Sequence, residues 1–302
     1  ISSDNNTLYF VDAAGMAGTS NENHQLRKID LTNSQFNVTT INNNIISDIA
    51  ANSFPCRGIA IHPSNQYILI CADNNKIIKY DLVNDVESVW FGDGNDAHST
   101  TSIRQSISIT FNSSGSHVYV PEFEQSSSGV YRFFETDKIN ADPTDNDGVL
   151  SGSSTGGYGS GVWRVTRIIL DEPNNVLYSY ESGGGYNINS VYPGQGYTSG
   201  YARIRRHPMQ NHGNQNGSED FYHAVSFDGL TSSYHDAMFL KNDCLYWIGY
   251  NTNQEGIIKL PTSIVSYLTP PYYLKQHTSS LKDVSGNLQT VRTMALDSSD
   301  NI

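Results

Sequence analysis

Residues 57–82, RGIAIHPSNQYILICADNNKIIKYDL, constrain this chain more than any other stretch of it. A short apolar run (Gly58-Ile59-Ala60-Ile61) meets a polar turn (His62-Pro63-Ser64-Asn65). A second apolar run over 67–72 follows, then Asp73-Asn74-Asn75 and a third run over 76–80. Runs this short, rich in β-branched and aromatic residues and bounded by Pro, Asn, Asp and Ser, read as strands. The phrase returns along the whole chain, and repetition at tens of residues means a modular fold.

The two-run signature recurs at 108–120, 167–178 and, with a shorter turn, 237–247. At the N-terminus Ser2-Ser3-Asp4-Asn5 leads into Leu8-Tyr9-Phe10-Val11-Asp12. At the other end 293–296 runs into Asp297-Ser298-Ser299-Asp300-Asn301. Third strands are expected at 25–31, 76–82, 129–134, 201–206 and 256–260, and weaker fourth strands at 37–41, 87–91 and 221–227. Four antiparallel strands per unit of about 40–50 residues is the pattern of a β-propeller blade. The expectation is an all-β chain, a β-propeller of four-stranded antiparallel blades. Five blade periods are visible, compatible with five or six blades. Residues 1–302 are read as one propeller domain, with long insertions at 141–161, 182–200 and 261–290. Both ends fall at the same phase of the repeat, which suggests a segment of a longer chain.

Residues 56–63 (CRGIAIHP) with 76–81 (KIIKYD) resemble the NHL-repeat β-propeller family, and Phe91-Gly92-Asp93-Gly94 is similar to the glycine-punctuated end of such a blade. The resemblance covers 57–94 well and the other periods loosely. It implies a six-bladed ring. Because the family holds enzymes, protein-binding modules and structural domains, function has to be argued from residues.

Acidic residues outnumber basic ones, 30 to 18, for a formal net charge of -12. That balance disfavours nucleic acid and anionic membrane surfaces as partners, and no run approaches the length of a transmembrane helix. Low total charge with 19 tyrosines and abundant Asn, Ser and Gly suggests an extracellular, secreted or cell-surface β-protein. Asn5, Asn37, Asn112 and Asn216 each head an Asn-x-Ser/Thr triplet, so N-glycosylation is expected. Cys56 and Cys71 sit on strands expected to pair, and a disulfide between them suits an oxidising compartment; two small buried side chains would explain them equally. Cys244 reads as core.

Aligned on the turn, Arg57, Ile107, Thr166, Asp236 and Arg292 take one equivalent position at the start of the innermost strands. Arg104, Arg164, Arg167 and His235 lie nearby in sequence. Arginines gathered at a channel mouth in an acidic protein make a candidate anion site, for a carboxylate or a sugar acid. The plainer alternative is that they pair with neighbouring carboxylates and hold blades together. The histidines show no repeating ligand spacing, and no cofactor or resident metal is expected. Asp145 and Asp147 fall in a segment similar to part of a calcium loop, though Pro143 stands where the first ligand belongs; an Asx turn is the simpler account. The Tyr/Gly-rich stretch 178–201, with Tyr186, Tyr192, Tyr197 and Tyr201, reads as an interaction loop for glycans or protein subunits.

The leading expectation is a non-enzymatic structural or interaction module of a cell-surface, matrix or appendage (filament) assembly. A propeller hydrolase or lyase with a metal at the channel, and a lectin-like module for acidic glycans at the channel mouth, are the alternatives.

Overall fold

The computed structural model of the chain describes residues 1–12, 24–45, 56–72, 75–94, 103, 106, 108–122, 130–135, 149–151, 165–181, 203–208, 220–222, 238–250, 255–262 and 275–276. Among these, every regular element is a β-strand. The strands form five consecutive sheets in which spatial order follows chain order.

The first sheet is β1 (Thr7–Asp12), β2 (Gln25–Asp30) and β3 (Val38–Asn42). The second is β4 (Cys56–Ile61), β5 (Tyr67–Ala72), β6 (Lys76–Asp81) and β7 (Val86–Phe91). The third is β8 (Thr110–Phe111), β9 (His117–Glu122), β10 (Val130–Glu135) and β11 (Val149–Ser151). The fourth is β12 (Val165–Asp171), β13 (Val176–Glu181), β14 (Arg203–Pro208) and β15 (Asp220–Tyr222). The fifth is β16 (Met238–Lys241), β17 (Cys244–Tyr250), β18 (Glu255–Pro261) and β19 (Lys275–Gln276).

The five periods and their third strands therefore lie where the repeat put them. Two fourth strands do not: β11 and β19 fall inside 141–161 and 261–290, read from sequence as insertions. At three and two residues they carry too short an alternation to register as strands.

By contact the chain divides into two compact units, Ile1–Phe123 with Tyr131–Val149, and Glu124–Val130 with Leu150–Ile302. Within the first unit the second sheet is covered on both faces. Ile68, Ile70 and Ala72 of β5, with Ile78 and Tyr80 of β6, pack on Leu26, Ile45, Tyr9 and Val11. Leu69 and Cys71, with Ile77, Trp90 and Phe91, pack on Ile103, Ile109, Val118 and Val120. Alternate residues of β5 thus enter two different cores, which is why YILICA is apolar without a break. Strand β4 lies beside β8, the first strand of the next sheet, and in the second unit β12 lies beside β16.

The turns that open the first three sheets share a design. Ser2 pairs with Thr7, His62 with Tyr67 and Asn112 with His117 across N–H···O bonds of 2.8, 2.9 and 3.0 Å. The chain reverses through a positive φ at Asn5 (59°), Asn65 (58°) and Gly115 (76°), where Asn and Gly are the residues that tolerate it. In the fourth sheet Asp171 pairs with Val176 and the positive φ falls one residue later, on Asn175. The fifth sheet closes instead with two residues, Asn242 (49°) and Asp243 (54°), both left-handed, as a type I′ turn requires.

Successive turns of the first unit are tied together. Ser3 N–H donates to Asn65 Oδ1 at 3.0 Å, and Asn65 Nδ2 donates to Ser3 Oγ at 2.9 Å. The next tie runs from His62 to Gly115. Ser64 N–H donates to His62 Nδ1 at 3.2 Å, so Nε2 carries the proton and donates to the Gly115 carbonyl at 3.2 Å. The ring stacks on Tyr67 at 4.5 Å and meets Phe111 edge-on at 5.2 Å. A Cβ on Gly115 would collide with the His62 ring at Nε2. Gly115→Ala is expected to cost about 2 kcal/mol or more in chemical denaturation, from the φ and the clash together. In a His62→Ala background the clash disappears, and the same substitution should cost clearly less. Equal costs in both backgrounds would mean the two turns are not coupled.

Candidate functional site

Of the residues singled out in the sequence, Arg57 and Arg167 lie at the other end of the first strands, where β4 and β12 enter their sheets. Both strands carry a β-bulge at the same place. In β4, Cys56 opposes Ala72 and Gly58 opposes Cys71, leaving Arg57 as the extra residue. In β12, Val165 opposes Glu181 and Arg167 opposes Tyr180, leaving Thr166 as the extra residue. Arg57 and Thr166 are the residues the repeat aligns, each five positions before the paired turn residue (His62 and Asp171). A bulge bends its strand and re-aims the side chains beside it, and bulges concentrate next to binding sites. Arg167, directly after the second bulge, is half-buried. Arg104, Arg164, His235, Asp236 and Arg292 lie outside the described residues, as do Tyr186, Tyr192, Tyr197 and Tyr201 and the calcium-loop residues Asp145 and Asp147.

Of the two readings of Cys56 and Cys71, the disulfide is not formed. The turn at 62–67 sets the register, in which Cys71 sits opposite Gly58 and Cys56 opposite Ala72. Cys71 is a reduced, fully buried thiol, 3.2 Å from Ser106 Oγ and donating to the Ser108 carbonyl at 3.7 Å. Burial pushes that thiol up to about 12, against a smaller opposing pull from Ser106, so it stays protonated and unreactive at neutral pH. Cys244 is likewise reduced and buried.

The acceptor triplets are not alike. The Asn112 amide is consumed by its own turn: Nδ2 donates to Ser114 Oγ and Ser116 Oγ at 2.9 and 3.0 Å, and Oδ1 accepts from His117 N–H at 2.9 Å. Asn5 is exposed but holds the left-handed turn position, while Asn37, Val38 and Thr39 are all exposed at the start of an edge strand. Asn216 lies outside the described residues.

Two carboxylates that sequence reading passed over close the third strands. Asp30 accepts from Thr32 Oγ1 at 2.6 Å and Thr32 N–H at 2.9 Å. Asp81 accepts from the N–H groups of Val83 and Asn84 and from Asn84 Nδ2 at 2.8–3.0 Å. The Asn84 bonds hold Asp81 below the ordinary carboxylate value, and the Thr32 hydroxyl does the same for Asp30. The shared signal was Asp at the end of each third strand (KID, KYD). Among the described residues no group of three or more His, Cys, Asp or Glu side chains is placed to hold a metal ion.

No protein-family model matches the chain, and no curated protein matches it in sequence. Solved structures do resemble it. TolB from Acinetobacter baumannii, a β-propeller, matches with a TM-score of 0.51 at 11% identity, over 86% of this chain and 50% of that one. The chain thus spans half the length of that structure. The likeness is one of fold.

Two outcomes follow from this chemistry. Cys71 should resist a thiol reagent such as Ellman's in the native protein and react fully once the chain is denatured; rapid native labelling would contradict its burial. Because the folded Asp81 carboxyl lies below its unfolded value, its contribution is present above the unfolded pKa and is lost as pH falls through the folded one. Asp81→Asn should therefore flatten the acid limb of a stability–pH curve below about pH 4, and an unchanged limb would show that this turn does not carry the linkage.

Proposed function

We propose that the chain folds as a β-propeller and works as a non-enzymatic interaction module of an extracellular assembly. Consecutive meanders, first strands lying side by side, double-faced burial of β5 and the likeness to TolB all support the propeller. The observation that carries the interaction role is where large apolar side chains remain in water. Phe36 and Val38 at the β2–β3 edge, and Val83, Val86 and Val89 at the β6–β7 edge, are exposed. Large apolar side chains grouped at an outer strand offer a surface that a partner can cover. The Tyr/Gly-rich stretch with Tyr186 to Tyr201 supports the same reading from sequence.

The bulges favour a second reading, a lectin-like site for acidic glycans near the strand entries. Titration with glucuronate-bearing oligosaccharides tests it: binding that Arg57→Ala abolishes would support the site, and no binding would remove it.

Expression through a eukaryotic secretory pathway tests the main reading. The product should carry N-glycan that a glycosidase removes. Asn37→Gln should delete a glycoform and Asn112→Gln should not, since the Asn112 amide is already engaged. A chain that stays unmodified, or that hydrolyses lactones, esters or glycans with loss of turnover in Arg57→Ala, would overturn the proposal.

A further inference from the structure

The β6–β7 hairpin combines three features that together define one kind of partner. Val83, Val86 and Val89 are 72%, 54% and 49% exposed within seven consecutive residues. They are interleaved with Asp81, Asp85 and Glu87, and residues 80–94 contain Asp93 besides and no lysine or arginine. Lys79, which faces Ser88 in the β6–β7 register, places its ammonium 4.4 Å above the Tyr67 ring of β5 and so directs its charge along β5. Among the described residues β7 pairs with β6 alone. Two of the acids also order the hairpin: Asp81 accepts from the N–H groups of Val83 and Asn84, and the Tyr80 hydroxyl donates to Asp85.

An apolar strand edge with an anionic border fits one complement, an extended segment that alternates apolar and basic residues. We infer that the β6–β7 hairpin is a docking strip for a basic, strand-forming segment of a partner protein, added edge-on to β7. This deepens the interaction-module reading and rests on it. Backbone pairing along β7 supplies the ladder and the valines supply apolar contact. Asp81, Asp85 and Glu87 select positive charge and speed encounter at low salt. A second copy of this chain is the poorer occupant. At a formal net charge of -12 it would bring like charge to an acidic border.

The test uses a fluorescein-labelled peptide of about ten residues alternating Lys and Val, with a Glu–Val peptide and a proline-interrupted Lys–Val peptide as controls. Anisotropy should show the Lys–Val peptide binding, both controls failing, and affinity falling as salt is raised. Val86→Lys with Val89→Lys should weaken binding about tenfold or more, and Glu87→Lys should weaken it and reduce its salt dependence. All are edge substitutions, and circular dichroism with a thermal melt confirms that each variant folds. Lys–Val binding equal in wild type and hairpin variants would overturn the inference and leave the module reading intact, as would absence of binding by the Lys–Val peptide. Self-association of the chain alone, abolished by the valine substitutions, would overturn it in favour of a second copy. Loss of the module reading shows separately, as catalytic turnover by the purified chain.

Discussion

Burial of one sheet on both of its faces is the condition on which the first unit depends. A strand that contributes alternate side chains to two cores has no position left for a polar residue. Ile68 to Ala72 obey that condition without exception, all of them buried. The same demand explains Val118 to Val120 in β9 and Val176 to Tyr178 in β13. Strand β1, half-buried along its whole length, can place Thr and Asp at its ends. Residues from outside the strands complete the packing: Ile45 closes the core against the first sheet and Ile103 the core against the third. Each apolar second strand is thus a statement about two neighbours as well as about itself.

That constraint also decides how much could be read in advance. Second strands were plain because double burial writes an unbroken apolar run, and third strands were plain because each follows its pair of runs at the same place in the repeat. The short outer strands β11 and β19 left no comparable mark, since three or two residues at an edge need only pair on one side. Ile45 and Ile103 were invisible for a different reason, because one or two apolar residues in a polar stretch carry no period. The cysteine pair fails on register: the turn at 62–67 sets Cys71 opposite Gly58, two residues from Cys56, and the extra Arg57 brings Cys56 only as far as Ala72. Sequence alignment nonetheless placed Arg57 and Thr166 at one position, and both prove to be bulge residues. The entry position was legible as an equivalence; its geometry was not.

The two ends of the first strands are therefore built differently. At the turn end, side chains spend their hydrogen bonds on order: Ser2, His62 and Asn112 each take a backbone N–H of their own turn. At the entry end the ladder is interrupted in two strands, and the residues freed from regular pairing include an arginine. Rigid turns at one end and irregular backbone at the other is the division expected where a scaffold presents a variable surface.

The ties between turns have a mechanical consequence. Ser3 with Asn65, and His62 with Gly115, join three consecutive turns in a row across the first unit. A load that tries to peel the first sheet away has to shear a paired amide contact, and the sheet it would leave behind is itself pinned to the next. Force entering at one rim is then shared along the row instead of opening a single seam.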